Sequence, residues 1–523
     1  MSGGNHALDS TLGMRAAWPV GKLRFCWHVS FNLLLAIGCL PLLTSQLAAA
    51  PPEITDVSLR GLQIGGVTRV TLRGSGFDES LRLVLPVDPP ARVVNESIKP
   101  DEAQLRIELA PQTSADLYPL RIATDGGISN AIACGIDALP QLSFRERLAD
   151  LPVALHGTLT GAQVLHTEFV GTKGARIVID AQSQRLGAKL RPVVRLFSPS
   201  QQHLGTARPV RELAGDARLI ATLPEDGVYR IELQDIVFSG ESPGWFRLLI
   251  GDFQVADHVV PLAVSRGVAS TVQLIGSPAS FKQSITPPLD TFLSGQAVTL
   301  SSAELGGRSF VGAAPWIHFS AAAQQVWQDN NASTALIAID QFPVAIDGMI
   351  GEAGERDVYR FSAGRHDKLK IEVWADRWAS PLDAILEVRK IGGELISAAD
   401  DQVGTSDPML EVDASALAER QFEVTVASRT PQAGNAAAYR LTVSPATTPA
   451  PTFTLRTDRV SIPAGDRVVL PVNMAGQVAA PYHVQMPTAL SHALRLSAAQ
   501  IKPMDEVALL AVDAMPTTRG TFG

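Results

Sequence analysis

The sequence predicts an all-β protein: a tandem array of antiparallel β-sandwich domains, immunoglobulin-like and jelly-roll-like, behind an N-terminal signal peptide. Three observations predict it. Short runs alternate apolar and polar residues, turn signals separate those runs, and one long stretch occurs twice. Charged residues are only 18% of the 523 and apolar residues 46%, too apolar a mixture for a disordered chain. The net charge of -8 gathers into no basic block, so nucleic acid is not expected as a partner. Gly (42) and Pro (35) stand modestly above average and suit turns better than long helices.

The chain opens with an export signal. Lys22 and Arg24 precede an apolar run from Leu33 to Leu43, interrupted by Gly38, Cys39 and Pro41. A helix of that length rises about 16 Å, roughly half of a ~30 Å hydrocarbon core, so it is too short to span. Ala48-Ala49-Ala50 supplies the small residues of a cleavage site, and residues 1–50 read as a signal peptide cut between 45 and 50. A second reading takes Gly38-Cys39 as a lipoprotein anchoring site. Either way the mature chain is expected to carry no transmembrane helix and to reach the periplasm, the cell surface or the exterior. Cys134 then remains as a lone thiol, expected to be a buried small hydrophobe, and no Cys/His spacing suggests zinc.

Strands follow in order. Val67 to Arg73 alternates and stops at Gly74-Ser75-Gly76; Arg176 to Asp180, Tyr229 to Leu233 and Lys368 to Val373 alternate likewise. Asp226-Gly227, Gly392-Gly393 and Ala464-Gly465-Asp466 are the turn signals between such runs. The best helical stretch is short, Ser320 to Gln328.

The repeat organises the chain. Leu151-Pro152-Val153-Ala154-Leu155-His156-Gly157 returns as Phe342-Pro343-Val344-Ala345-Ile346-Asp347-Gly348. At nearly constant spacing, Arg185-Leu186 answers to Arg377-Trp378, Tyr229-Arg230-Ile231 to Phe422-Glu423-Val424, and Phe246-Arg247-Leu248 to Tyr439-Arg440-Leu441. A weaker echo pairs Gly66 to Ser75 with Gly267 to Ser277. The order is therefore A-B-A-B with a fifth segment: 53–145, 150–252, 255–325, 326–446 and 451–523.

The second B copy resembles the bacterial pre-peptidase C-terminal domain. Its residues include Asp329-Asn330-Asn331, Asp357-Val358-Tyr359-Arg360-Phe361, Leu382-Asp383-Ala384, the late acids Asp400, Asp401 and Asp407, and Tyr439-Arg440-Leu441. The first copy keeps the apolar skeleton and, near the late loop, only Asp216. The A segments are similar to IPT/TIG immunoglobulin-like domains through Ile54 to Phe77. The fifth resembles bacterial immunoglobulin-like domains, with no closing strand evident after Val507 to Val512. These resemblances imply β-sandwiches found in large exported proteins and beside secreted peptidases.

Chemistry is sparse in the sequence. No His-Glu-x-x-His occurs, and Gly240-Glu241-Ser242-Pro243-Gly244 matches Gly-x-Ser-x-Gly in front of a strand-like run, where a nucleophile elbow needs a helix. We read it as a turn and expect no catalytic residue. Asp400, Asp401 and Asp407, with Gly404, Thr405 and Ser406, offer the oxygen-rich loop that calcium takes; the alternative is a solvated turn. The expected function is an exported, non-catalytic protein of the envelope or surface, its sandwiches serving as spacers and adhesion or binding units. Its partner would be an extracellular or envelope protein or polysaccharide. The rival is the accessory region of a secreted peptidase or other hydrolase.

Overall fold

The computed structural model describes residues 50–516, apart from 278–280, 290–293, 299–309, 321–322, 326–337, 340–341, 418–419, 431–436, 447–451, 458, 476–481, 485–489, 499 and 502–506. Of the residues assigned to the signal peptide only Ala50 belongs to this set; the others, Cys39 of the lipoprotein reading included, lie outside it. Among the described residues the elements are strands and a few single-turn 3-10 helices, with no α-helix. Among the described residues no helix is long and apolar enough to cross a membrane.

In the first A module, Glu53–Val57, Val67–Ser75, Glu102–Glu108 and Arg92–Lys99 form one sheet in that order. Gly61–Gln63, Ile132–Asp137, Asp116–Thr124 and Arg82–Val84 form the other. Leu62, Leu72, Leu105, Ile122 and Cys134 fill the space between them. Period-two alternation sends Thr68, Val70 and Leu72 inward and leaves Val67 outside. Cys134 is the expected buried hydrophobe, and burial pushes its thiol up to about 12.

The two B modules share one topology. In the first, Gln141–Ser143, Val153–Thr158, Trp245–Gly251, Arg176–Gln182 and Ala217–Thr222 make one sheet. In the second, Ala323–Gln325, Val344–Met349, Ala438–Pro445, Lys368–Trp374 and Met409–Asp413 stand in the same order. The registers coincide: His156 lies opposite Arg247, and Asp347 opposite Arg440. Gly157 and Gly348 recur because an aromatic ring crosses each; a Cβ there would stand 2.7 Å from Phe246 and 2.4 Å from Tyr439. The acid of the strand Arg356–Ser362 has its own partner. Buried Asp357 accepts from Tyr439, whose hydroxyl also meets Tyr359 at 2.6 Å. The first copy puts Leu165, Phe246 and Thr167 at those places, so acid and tyrosines are lost together.

The helix expected over Ser320 to Gln328 is not observed in its described part. Ser320 closes the strand Trp316–Ser320, and Ala323–Gln325 pairs in parallel with Val344 to Ile346. Helix propensity favours Ala and Gln by only tenths of a kcal/mol per residue, less than pairing an open sheet edge returns. That strand and Gln141–Ser143 both precede the boundaries read from sequence and belong to the B sheets they extend. In the fifth segment Val507–Ala514 runs between Arg467–Ala475 and Leu494–Ala498.

Candidate functional site

The three acids read as a calcium loop are not brought together. Asp407 is fully buried and caps the 3-10 turn Asp376–Trp378. Its carboxylate accepts from the amides of Ala375, Asp376 and Arg377 at 2.9, 2.7 and 3.1 Å, and from Arg377 Nε at 2.8 Å. Asp216 does the same in the first copy, for Ser183, Gln184 and Arg185. Asp400 and Asp401 are half exposed and share Arg429 at 3.2 and 3.4 Å. Among the described residues no group of three His, Cys, Asp or Glu side chains stands ready for a metal. Asp401 instead edges a polar cleft of about 360 Å³ with Asp383 and Arg429, closed from the first B module by Arg211, which binds Asp376 and Ser406.

Ser242 is exposed on a turn, and the strand Trp245–Gly251 follows it. The glycines of the motif answer to packing. Gly240 has φ 45° and gives its carbonyl to Gly161, and a Cβ on Gly244 would stand 2.1 Å from the Leu159 carbonyl. The serine therefore has neither the following helix nor the strand-top setting of a nucleophile elbow.

The dense polar chemistry lies where the first B module meets the A module before it. Both faces of Trp245–Gly251 are buried: Phe246, Leu248 and Ile250 enter the B core, and Arg247 points into the first A module. Its Nη2 donates to Asp137 Oδ2 at 2.6 Å, with neither side chain exposed, and Nη1 donates to Gln182 at 3.2 Å. Gly61 and Gly135 make room for it; a Cβ on Gly135 would stand 2.4 Å from Arg247 Nη1. His156 accepts from the Arg60 amide through Nδ1 and so carries its proton on Nε2, facing Gln141 Oε1 at 2.9 Å. Burial, reinforced by Arg247 and Arg60, holds its imidazole well below the usual value.

Arg60 completes this junction. Its guanidinium lies 3.5 Å over the Trp245 ring, and burial lowers its pKa to about 10. Beside the pair runs a groove of about 650 Å³, lined also by Tyr118, Asn130 and Arg185. None of this was read from sequence. The available signal was an arginine in the middle of an apolar closing strand, kept in both copies.

The second junction uses other means. By backbone pairing Leu262 stands where Arg60 does, since Gly135 donates to the Arg60 carbonyl and His318 to that of Leu262. Leu262 packs with Val260 and Ala438, beside Trp378, which stacks on His318 at 4.2 Å. Arg440 pairs with Asp347 of its own module at 2.7 Å and reaches the Ala263 carbonyl at 3.5 Å.

No family model matches the chain, and no curated protein does. Solved structures align at low similarity. One is PliG of Aeromonas hydrophila, a periplasmic inhibitor of g-type lysozyme: 17% identity, 21% of this chain and 96% of that one, TM-score 0.17. Another is SGBP-B of a Bacteroides ovatus mixed-linkage glucan utilization locus, bound to a heptasaccharide: 10% identity, 75% and 74% covered, TM-score 0.14. A third is SGBP-B from a xyloglucan locus of Bacteroides uniformis, at 13% identity, 39% and 72% covered, and TM-score 0.16.

Proposed function

We propose that the chain is an exported, non-catalytic multidomain protein of the cell envelope or surface, a stiff β-scaffold that presents binding surfaces. The observation that carries the reading is the buried charge invested in the first module junction. Arg247 and Asp137 come from different modules and are both fully buried. Leu139 of the A module, Ala154 and Leu249 of the B module and Val311 of the second A module share one apolar cluster. A linked string of spacers needs neither feature, because domains on free linkers present polar faces to one another. A scaffold that holds its surfaces in fixed register does.

The test is retention without turnover. The purified chain is passed over immobilised envelope polysaccharides, and both bound protein and released soluble sugar or peptide are measured. Retention with no released product is expected, unchanged by Ser242→Ala. Product release that Ser242→Ala abolishes would overturn the non-catalytic reading.

A further inference from the structure

The groove at the first junction has chemistry that the second junction does without. Arg60 is 3% exposed and lines the groove, and its Nη1 and Nη2 are buried without a hydrogen-bond acceptor. Its one ion pair among the described residues is a long one, Nη2 to Asp56 at 3.6 Å, and that carboxylate is itself 55% exposed. Buried guanidinium donors without an acceptor are costly, and the usual compensation is a carboxylate received on the planar fork. The groove's described lining holds two arginines, Arg60 and Arg185, and no acid, on a chain whose net charge is -8. Arg185 is already spent on Asp180 and Asp216 at 2.7 Å each, which leaves Arg60 as the cation available to a ligand.

Holding the modules together does not explain the pair. Leu262 and Ala438 occupy the places of Arg60 and Trp245 at the second junction and close it by apolar contact. The Arg60–Trp245 stack is therefore an addition to the junction, not its requirement.

We propose that this groove binds an acidic saccharide, the carboxylate of a uronic-acid unit pairing with Arg60 while its ring packs against the aromatic walls. Trp245 and Tyr118 are half-buried there, and Asn130 lies beside them. Aromatic faces with a few convergent polar groups suit the C–H faces and hydroxyls of a sugar. A positive, acid-free lining selects the charged sugar over the neutral one. The proposal rests on the non-catalytic binding reading and gives it a ligand class.

Titration calorimetry on the full chain tests it with three probes: tri-galacturonate, the neutral tri-galactose and acetylated tri-glutamate. Tri-galacturonate is expected to bind at least about tenfold tighter than either other probe, with an affinity that falls as salt rises. The double variant Arg60→Leu, Trp245→Ala borrows the residues of the second junction, and a cooperative melting transition well above the assay temperature checks that the fold is kept. It should lose at least about tenfold in affinity, and Arg60→Lys, which keeps charge but not the fork, should fall between. No wild-type binding up to about 10 mM, equal binding of the neutral sugar, or binding that survives the double variant would each overturn the site. So would acetylated tri-glutamate binding in place of the sugar. Sugar cleavage in the same cell would uphold the site and refute the non-catalytic reading, so the two fail separately.

Discussion

At the first junction the arginine of the closing B strand leaves its own module and finds Asp137 in the A module; at the second it stays at home with Asp347. The strands and registers are the same, and what differs is which of two neighbouring positions holds the acid. His156 stands where Asp347 does, and Ser320 where Asp137 does. One buried guanidinium requires one carboxylate, and the fold accepts it from either side. The first solution ties two modules with an ion pair; the second frees the junction to close with Leu262, Ala438 and the His318–Trp378 stack. A repeated domain can thus keep its own charge balance while changing how firmly, and through what chemistry, it holds its neighbour.

Moving the acid is the strongest way to break this comparison. Asp137→Ser alone leaves Arg247 buried without its carboxylate and should cost about 3–5 kcal/mol in the transition that includes the first A–B pair. Adding His156→Asp rebuilds the second junction's arrangement and should recover most of the loss. Calorimetric unfolding of the single and double variants measures both. A double variant no more stable than Asp137→Ser would show that the two sites are not interchangeable.

Acid should act on the same contrast. Below about 6.5 the unfolded chain protonates His156, while the folded junction, with Nδ1 engaged and two arginines near, does not. The unfolded state then binds more protons, so stability rises with pH up to about 6.5 and falls as pH drops below it. His258 of the second A module, buried and held at about 4, adds loss of the same sign between 6.5 and 4. His156→Gln keeps an acceptor and a donor and should flatten the slope of the first transition, leaving those of His258 and of His318, which burial also holds at about 4. Chemical unfolding at stepped pH reads it. A slope that His156→Gln leaves unchanged would place the acid sensitivity elsewhere.

The late acids show how much of the site was legible. The repeat alone held the answer for Asp407: it is the one late acid with a counterpart, Asp216, in a copy that has lost the others. An acid kept in both copies serves what both copies need, a cap on a tight turn. Strand order and the doubling of the B module were readable because period-two patterning and the internal match are local and additive along the chain. Arg247 was not, because its partner lies in another module, and sequence spacing carries no information on which of two acids a buried charge will meet. The Arg60–Trp245 groove was hidden for the same reason. On this account Asp407→Ala should cost about 2–4 kcal/mol by stranding buried amides and Arg377, whereas Asp401→Ala should stay within about 0.5 kcal/mol, as exposed pairs do. Melting the chain with calcium and with chelator should then give one profile for both the wild type and Asp401→Ala. A calcium shift that Asp401→Ala removes would restore the metal reading.

The smallest expected effect sharpens the comparison at a single backbone angle. Each capped turn ends on a residue in the left-handed region: Gly187 at φ 79° in the first copy and Ala379 at φ 62° in the second. A Cβ on Gly187 would meet nothing within 4 Å, so any penalty for alanine there is intrinsic to the backbone and not a clash. The left-handed conformation costs a residue with a Cβ about 1–2 kcal/mol, and glycine gives back about 0.4–1 kcal/mol through the greater freedom of its unfolded chain. The net favours glycine by about 0–1.6 kcal/mol. Ala379→Gly should therefore raise the second B module's melting temperature by a few degrees, and Gly187→Ala should lower the first by a similar amount. Because the two turns carry the same carboxylate cap, the shifts should be opposite in sign and nearly equal in size. If Ala379→Gly destabilises, the alanine methyl is being used, and the wall of the Asp383–Arg429 cleft, which Ala379 helps to line, is where its contact would be found.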